Sequence, residues 1–219
     1  MLAKELISNE LIPLRTSDTG DEALGIMGDF YVRHLPIVNN RQLLGLLSEE
    51  DILNQDTEEP IGSYTLSFPG RYVQETAHLY EVLAHMAEFH LTVVPVVDSD
   101  NNYSGLITLE DALHYFAQSG AFTEPGGIIV LEMTKVNYSL SEIARIVESE
   151  SAVILSAMVT TRPDSSLITV TLKLNRNDIQ SVLATLDRFE YTIKATFLED
   201  NYADALRDRY ESLLNYLNV

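Results

Sequence analysis

Two hydroxyl and carboxylate pairs carry the most readable chemistry in this chain: Ser48 with Asp51, and Thr108 with Asp111. In each, the acid follows the hydroxyl by three positions, and the pairs lie 60 positions apart. That spacing serves two purposes. A hydroxyl ahead of an acidic turn caps a helix, and the carboxylates complement the positive end of the helix dipole. A carboxylate beside a hydroxyl is also a strong acceptor for donors on a ligand, because its hydrogen bonds are charge-assisted.

Both pairs sit in one local pattern. GLLSEEDIL (Gly45 to Leu53) and GLITLEDAL (Gly105 to Leu113) each run from an apolar, strand-like stretch through the hydroxyl and acidic turn into a helix. Upstream the match continues at an offset of 59, with LPIV (Leu35 to Val38) over VPVV (Val94 to Val97) and ALGIM (Ala23 to Met27) over VLAHM (Val82 to Met86). The one-residue change falls between Val38 and Gly45, opposite Val97 to Gly105, in a hairpin loop that tolerates insertion. Such a duplication reads as two copies of one supersecondary module packed on each other.

The elements that position the pairs follow from periodicity. Residues 2–8 (LAKELIS) have a helical pattern, and Leu11 to Arg15 are extended. Ser17 or Asp18 caps a helix with apolar positions Ala23, Leu24, Met27 and Phe30. RHLPIV and LLGLLS form a hairpin about Asn39 and Asn40. Gln55 to Gly70, with Pro60, Gly62, Pro69 and Gly70, has no clear period and connects the copies. The second copy repeats the order: Tyr72 to Gln74 extended, Ala77 to Phe89 helical, strands at Thr92 to Val97 and Ser104 to Ile107, and a helix at Leu109 to Gln118. SGAFTEPGG (Ser119 to Gly127) marks a domain boundary. Beyond it come strand IIVLEM, helix SLSEIARIVES with a capping box from Ser139 to Glu142, strands AVILSAMVTT and LITVTLKL, helix NDIQSVLATLDRF, strand YTIKATFL and a last helix from Tyr202 to Leu217. This βαββαβ order is the ferredoxin-like split-βαβ arrangement. The expected class is therefore α/β (α+β): tandem β-α-β-β-α repeats at 1–58 and 59–119, then a ferredoxin-like domain at 127–219.

Composition narrows the functional classes. The chain has 219 residues, 46% of them hydrophobic, enough for one large or two small cores. With 33 acidic against 14 basic residues the net charge is −19, which repels phosphate backbones and anionic lipid, so neither nucleic acid nor membrane is expected as a partner. No apolar run approaches a bilayer span and no signal-peptide core follows Met1, so a cytoplasmic location is expected. Without cysteine there are no disulfides, thiolate zinc sites or cysteine nucleophiles.

Both modules resemble CBS domains, whose pairs form a Bateman module, through the pattern G-h-h-[ST]-x-x-D-h (h apolar) and the preceding h-P-h-V strand. The resemblance covers residues 1–118. Gly127 to about Asp200 resembles an ACT domain, and the whole order is similar to the acetoin-utilisation CBS proteins of bacteria. The CBS resemblance implies an adenine nucleotide or adenosyl ligand, AMP, ADP, ATP or S-adenosylmethionine, held in clefts between the repeats of a homodimer. On the family pattern Ser48, Asp51, Thr108 and Asp111 meet the ribose, and Ile37 and Val96 the base. A carboxylate can accept from both ribose hydroxyls at once. Arg33 and His34 are the phosphate candidates; their counterparts Thr92 and Val93 are not basic, so the two clefts are expected to be unequal. The ACT resemblance implies an amino-acid site in the loop after the first strand, but KVNYSLSE lacks the glycine found there, and dimerisation is the expected role.

An enzyme is not expected, since no G-x-S-x-G, GK[ST] or G-x-G-x-x-G sequence is present. No histidine pair has metal-binding helical spacing; His85, His90 and His114 read as helix-surface or helix-end residues. DSDNN (Asp98 to Asn102) starts like a calcium loop but has Tyr103 where glycine is needed, and reads as a turn. The tyrosines Tyr202, Tyr210 and Tyr216, with Leu206, Leu213, Leu214 and Leu217, form a stripe for a core or dimer contact. The expected function is a regulatory sensor acting on a further protein. The alternatives are a partner-docking module with vestigial clefts, or a divalent-cation sensor using Glu49, Glu50, Glu58 and Glu59.

Overall fold

Strand pairing follows the repeat in the computed structural model, which describes residues 1–65 and 70–198. The expected helix at Tyr202 to Leu217, with its tyrosine and leucine stripe, lies outside the described residues. The chain divides into two compact units, Met1–Phe116 and a second from Ala117 onward.

In the first unit the order is α1 (Gly20–Asp29), β1 (His34–Asn39), β2 (Gln42–Ser48), α2 (Glu49–Leu53), then β3 (Val73–Gln74), α3 (Leu79–Phe89), β4 (Val93–Val97), β5 (Tyr103–Thr108) and α4 (Leu109–Ala117). β1 pairs antiparallel with β2, and β4 with β5, each with a register shift at the equivalent step, Ile37/Val38 and Val96/Val97. Asn40 and Asn101 turn the hairpins with φ of 55° and 61°, a left-handed conformation that asparagine tolerates well. Asp98 Oδ1 accepts the N–H groups of Asp100 and Asn102 at 2.9 and 2.8 Å, so the DSDNN run is a turn.

Three local expectations are corrected. LAKELIS forms only a 3-10 turn, Ala3–Glu5, because a stretch this short is hard to nucleate as a helix and its Ala3 and Lys4 N–H groups are taken by the carbonyls of Ala77 and Glu75. The cap of α1 is Thr19, not Ser17 or Asp18: Thr19 Oγ1 accepts from Glu22 N, while Asp18 Oδ2 closes the preceding turn by accepting from Arg15 N at 2.7 Å. α3 begins at Leu79, with His78 Nδ1 accepting from Tyr80 N.

The leading turns of the two repeats are exchanged. Ala3 and Leu6 lie in a core with Val82, Met86, Val94 and Ile107 of the second copy. Ile61 and Tyr64, which lead into the second copy, lie in a core with Ala23, Leu35, Leu47 and Ile52 of the first. The backbone repeats the exchange, since Ala3 N donates to Ala77 O and Ile61 N donates to Asp18 O. Each repeat therefore completes the other's core.

The second unit contains α5 (Gly120–Thr123), β6 (Ile128–Thr134), α6 (Leu140–Ser149), β7 (Ile154–Thr161), β8 (Leu167–Leu174), α7 (Gln180–Arg188) and β9 (Thr192–Phe197). Its sheet order is β7-β8-β6-β9 with antiparallel neighbours, the ferredoxin-like order expected from βαββαβ. Alternate strand residues Ile129, Leu131, Val170 and Leu172 meet Ile143, Val147, Val182 and Leu186 of the helices. Ser139 caps α6 by accepting from Glu142 N. No helix of the described residues is long and apolar enough to cross a membrane.

Candidate functional site

The two hydroxyl and carboxylate pairs are used differently. Ser48 is the N-cap of α2: its Oγ accepts from Asp51 N at 3.1 Å and donates to Asp51 Oδ2 at 2.7 Å, and Ser48 N donates to the same oxygen at 3.0 Å. This closed capping box is buried, with Ser48 and Asp51 only 7% and 8% exposed. In the second copy Thr108 Oγ1 donates to Asp111 Oδ2 at 2.6 Å and accepts from Asp111 N at 3.0 Å. Both side chains are half-buried there, on the wall of an open cleft of about 440 Å³.

That cleft is built from both repeats. The second copy supplies Thr92 and the first turns of α4: Thr108, Leu109, Glu110, Asp111, Leu113 and His114. The first copy supplies Phe30, Tyr31 and Val32, from the end of α1 and the approach to β1, together with Ser8, Glu10 and Leu11. Tyr31 is 92% exposed and held at φ 53°, an unusual conformation for an aromatic residue, so the helix end presents its ring to solvent beside the cleft. Apolar surface thus faces the hydroxyl and carboxylate pair, an arrangement that can hold a flat base at one end and a sugar diol at the other.

Among the other expected residues, Ile37 and Val96 do not line this cleft. They are 2% and 0% exposed, in the two cores, because β1 and β4 are covered on both faces. Arg33 has an exposed side chain with Nε 4.0 Å from Glu49 Oε2, beside the Ser48 pair. His34 is 8% exposed, its Nδ1 accepting from Thr92 N at 3.3 Å and lying 3.0 Å from Thr92 Oγ1. Burial pushes its pKa below the ordinary value, against the pull of Asp51 and with a smaller push from Arg33. Of the two, Arg33 is therefore the cation.

Phe30, Tyr31, Glu10 and His114 went unidentified as cleft residues in the sequence. Phe30, expected as one of the helix's recurring apolar positions, is the C-cap of α1 and 41% exposed. One signal was available: an aromatic residue at Tyr31, directly after the helix, where glycine or asparagine normally ends the turn.

Residues 3–58 and 68–118 match the family model of the CBS domain, and the first unit is a CBS domain pair. A curated relative, inosine-5'-monophosphate dehydrogenase from Methanocaldococcus jannaschii, is 26% identical over 112 residues, which is 51% of this chain and 23% of that enzyme. The chain spans about a quarter of the length of the curated relatives it matches. Among solved structures, a CBS domain pair/ACT domain protein from Thermotoga maritima is 22% identical with a TM-score of 0.48, covering 54% of this chain and 98% of that one. CBSX2 in complex with AMP is 21% identical with a TM-score of 0.46, covering 53% and 96%.

Proposed function

We propose that the CBS pair is a regulatory sensor that takes an adenine-containing ribonucleoside or nucleotide in the Thr108 and Asp111 cleft, and that the chain is not itself an enzyme. The observation that carries this reading is the open cleft in which that pair, on one repeat, faces Phe30, Tyr31 and Leu11 of the other. The Asp111 carboxylate can accept from two ribose hydroxyls while Thr108 orients it. A ligand spanning both repeats interacts differently with different repeat placements, and so biases one of them. Arg33 and His34 remain the phosphate candidates beside the Ser48 and Asp51 pair, with Arg33, whose side chain is exposed, the residue able to offer charge to a phosphate. Calorimetric titration with adenosine, AMP, ADP, ATP and S-adenosylmethionine tests the assignment: at least one binds the full chain and loses its affinity in Asp111→Asn. Failure of the whole panel favours the docking-module reading.

The second unit is proposed as the ACT-like part of a CBS–CBS–ACT order like that of the acetoin-utilisation proteins, and as the pairing surface of a homodimer. β7 supports this: it is an edge strand with no charged or proline residue over Ile154–Thr161, and Met158 is 54% exposed. Unprotected edges of this kind accept a further strand. The partner that receives the signal is a further protein.

A further inference from the structure

We infer that the Thr108 and Asp111 cleft selects a ribonucleoside whose 5′ substituent is neutral or cationic, and discriminates against phosphate esters. The inference rests on the assignment of that cleft as the nucleoside site. Its lining carries three carboxylates, Glu10, Glu110 and Asp111, with His114 and no lysine or arginine among the described lining residues.

The repeat explains why a cation is missing. Arg33 and Thr92 are equivalent across the 59-residue offset and do the same backbone work: Arg33 O accepts from Glu49 N, and Thr92 O from Leu109 N, each at 2.9 Å. Arg33 therefore stands beside Ser48 and Asp51, and its equivalent beside Thr108 and Asp111 is a threonine. The hydroxyl of Thr92 is already engaged, accepting from Arg33 N at 2.8 Å and lying 3.0 Å from His34 Nδ1. The start of α4 offers no substitute, since Glu110 and Asp111 already occupy the first turn where a phosphate would meet the helix dipole. A phosphate here meets carboxylates without an opposing lysine or arginine, whereas an amine gains from them.

The test is calorimetry on the full chain at low salt with EDTA, using 5′-amino-5′-deoxyadenosine, adenosine and AMP. Asp111→Asn identifies the heat that belongs to this cleft. The expected affinity order is amine, adenosine, AMP, with AMP weaker than adenosine by about tenfold or more. Glu10→Gln with Glu110→Gln, both at exposed positions, narrows that gap. AMP bound as tightly as adenosine in an Asp111-dependent manner overturns the selectivity and leaves the cleft assignment standing. Binding of none of the three overturns the assignment and the selectivity together.

Discussion

Asp51 and Asp111 occupy equivalent positions, yet one serves the fold and the other faces a cleft. Asp51 accepts from both the backbone and the hydroxyl of Ser48 in a buried box, so Asp51→Ala removes the carboxylate half of that box and takes the acceptor from the Ser48 N–H and O–H, while the Asp51 N to Ser48 Oγ cap bond remains. It is expected to lower unfolding stability by about 1–3 kcal/mol. Asp111→Ala removes the half-buried bond from the Thr108 hydroxyl to the Asp111 carboxylate, leaves the Asp111 N to Thr108 Oγ1 bond in place, and is expected to cost about 1 kcal/mol or less while abolishing ligand-induced stabilisation. Urea denaturation of both variants, with and without nucleoside, checks the pair. His34 sets a pH dependence. Because burial lowers its folded pKa below 6.5, the unfolded chain binds the proton more readily. Its contribution is intact above about pH 6.5 and declines as pH falls from there toward the lowered folded value. His85, also lowered chiefly by burial, acts in the same direction. Denaturation midpoints across pH 5 to 8 should show a decline on the acid side that is shallower in His34→Gln; an unchanged slope contradicts this role.

At the scale of elements, Gly126 and β7 carry the clearest consequences. A Cβ at Gly126 would run into the Leu174 carbonyl of the central strand β8, and Gly126 O also accepts from the buried Lys173 Nζ at 2.9 Å. Gly126→Ala is expected to destabilise the second unit by about 2–3 kcal/mol, read from its denaturation midpoint. Met158→Lys, placed on the uncharged edge strand, is expected to turn the proposed dimer into a monomer in light scattering without loss of helical signal. These elements were largely legible in the sequence because the period-2 and period-3.6 patterns are strong and, in the first unit, written twice. The pairs at Ser48 and Thr108 were legible for the same reason, since their three-residue spacing stays within one helix turn. The opposite wall of the cleft was not. Glu10, Phe30 and Tyr31 reach it from the other repeat, and no spacing along the chain records that contact. That Ile37 and Val96 lie in the cores and not on this cleft was not legible either, because an apolar run in a strand does not reveal that both of its faces are covered.

At the scale of the whole molecule, exchange of the leading turns makes the two repeats one folding unit. Residues 1–58 alone lack Ile61 and Tyr64, which fill their core, and leave Ala3 and Leu6 without the second-copy residues they pack on. That fragment is expected to show no cooperative unfolding by circular dichroism, whereas residues 1–118 retain it. The same exchange brings the strand entry of one repeat to the helix entry of the other, so the cleft exists only when both are folded. A ligand there stabilises the pair as a unit. The most direct measurement is thermal unfolding of the full chain with adenosine, AMP, ADP and ATP, repeated on Asp111→Asn and Asp51→Asn. A ligand at 100 times its dissociation constant should add about 2.7 kcal/mol. The account predicts that the rise in midpoint produced by at least one ligand survives Asp51→Asn, from that variant's lower baseline, and is lost in Asp111→Asn. A rise that persists in Asp111→Asn and vanishes only in Asp51→Asn contradicts it.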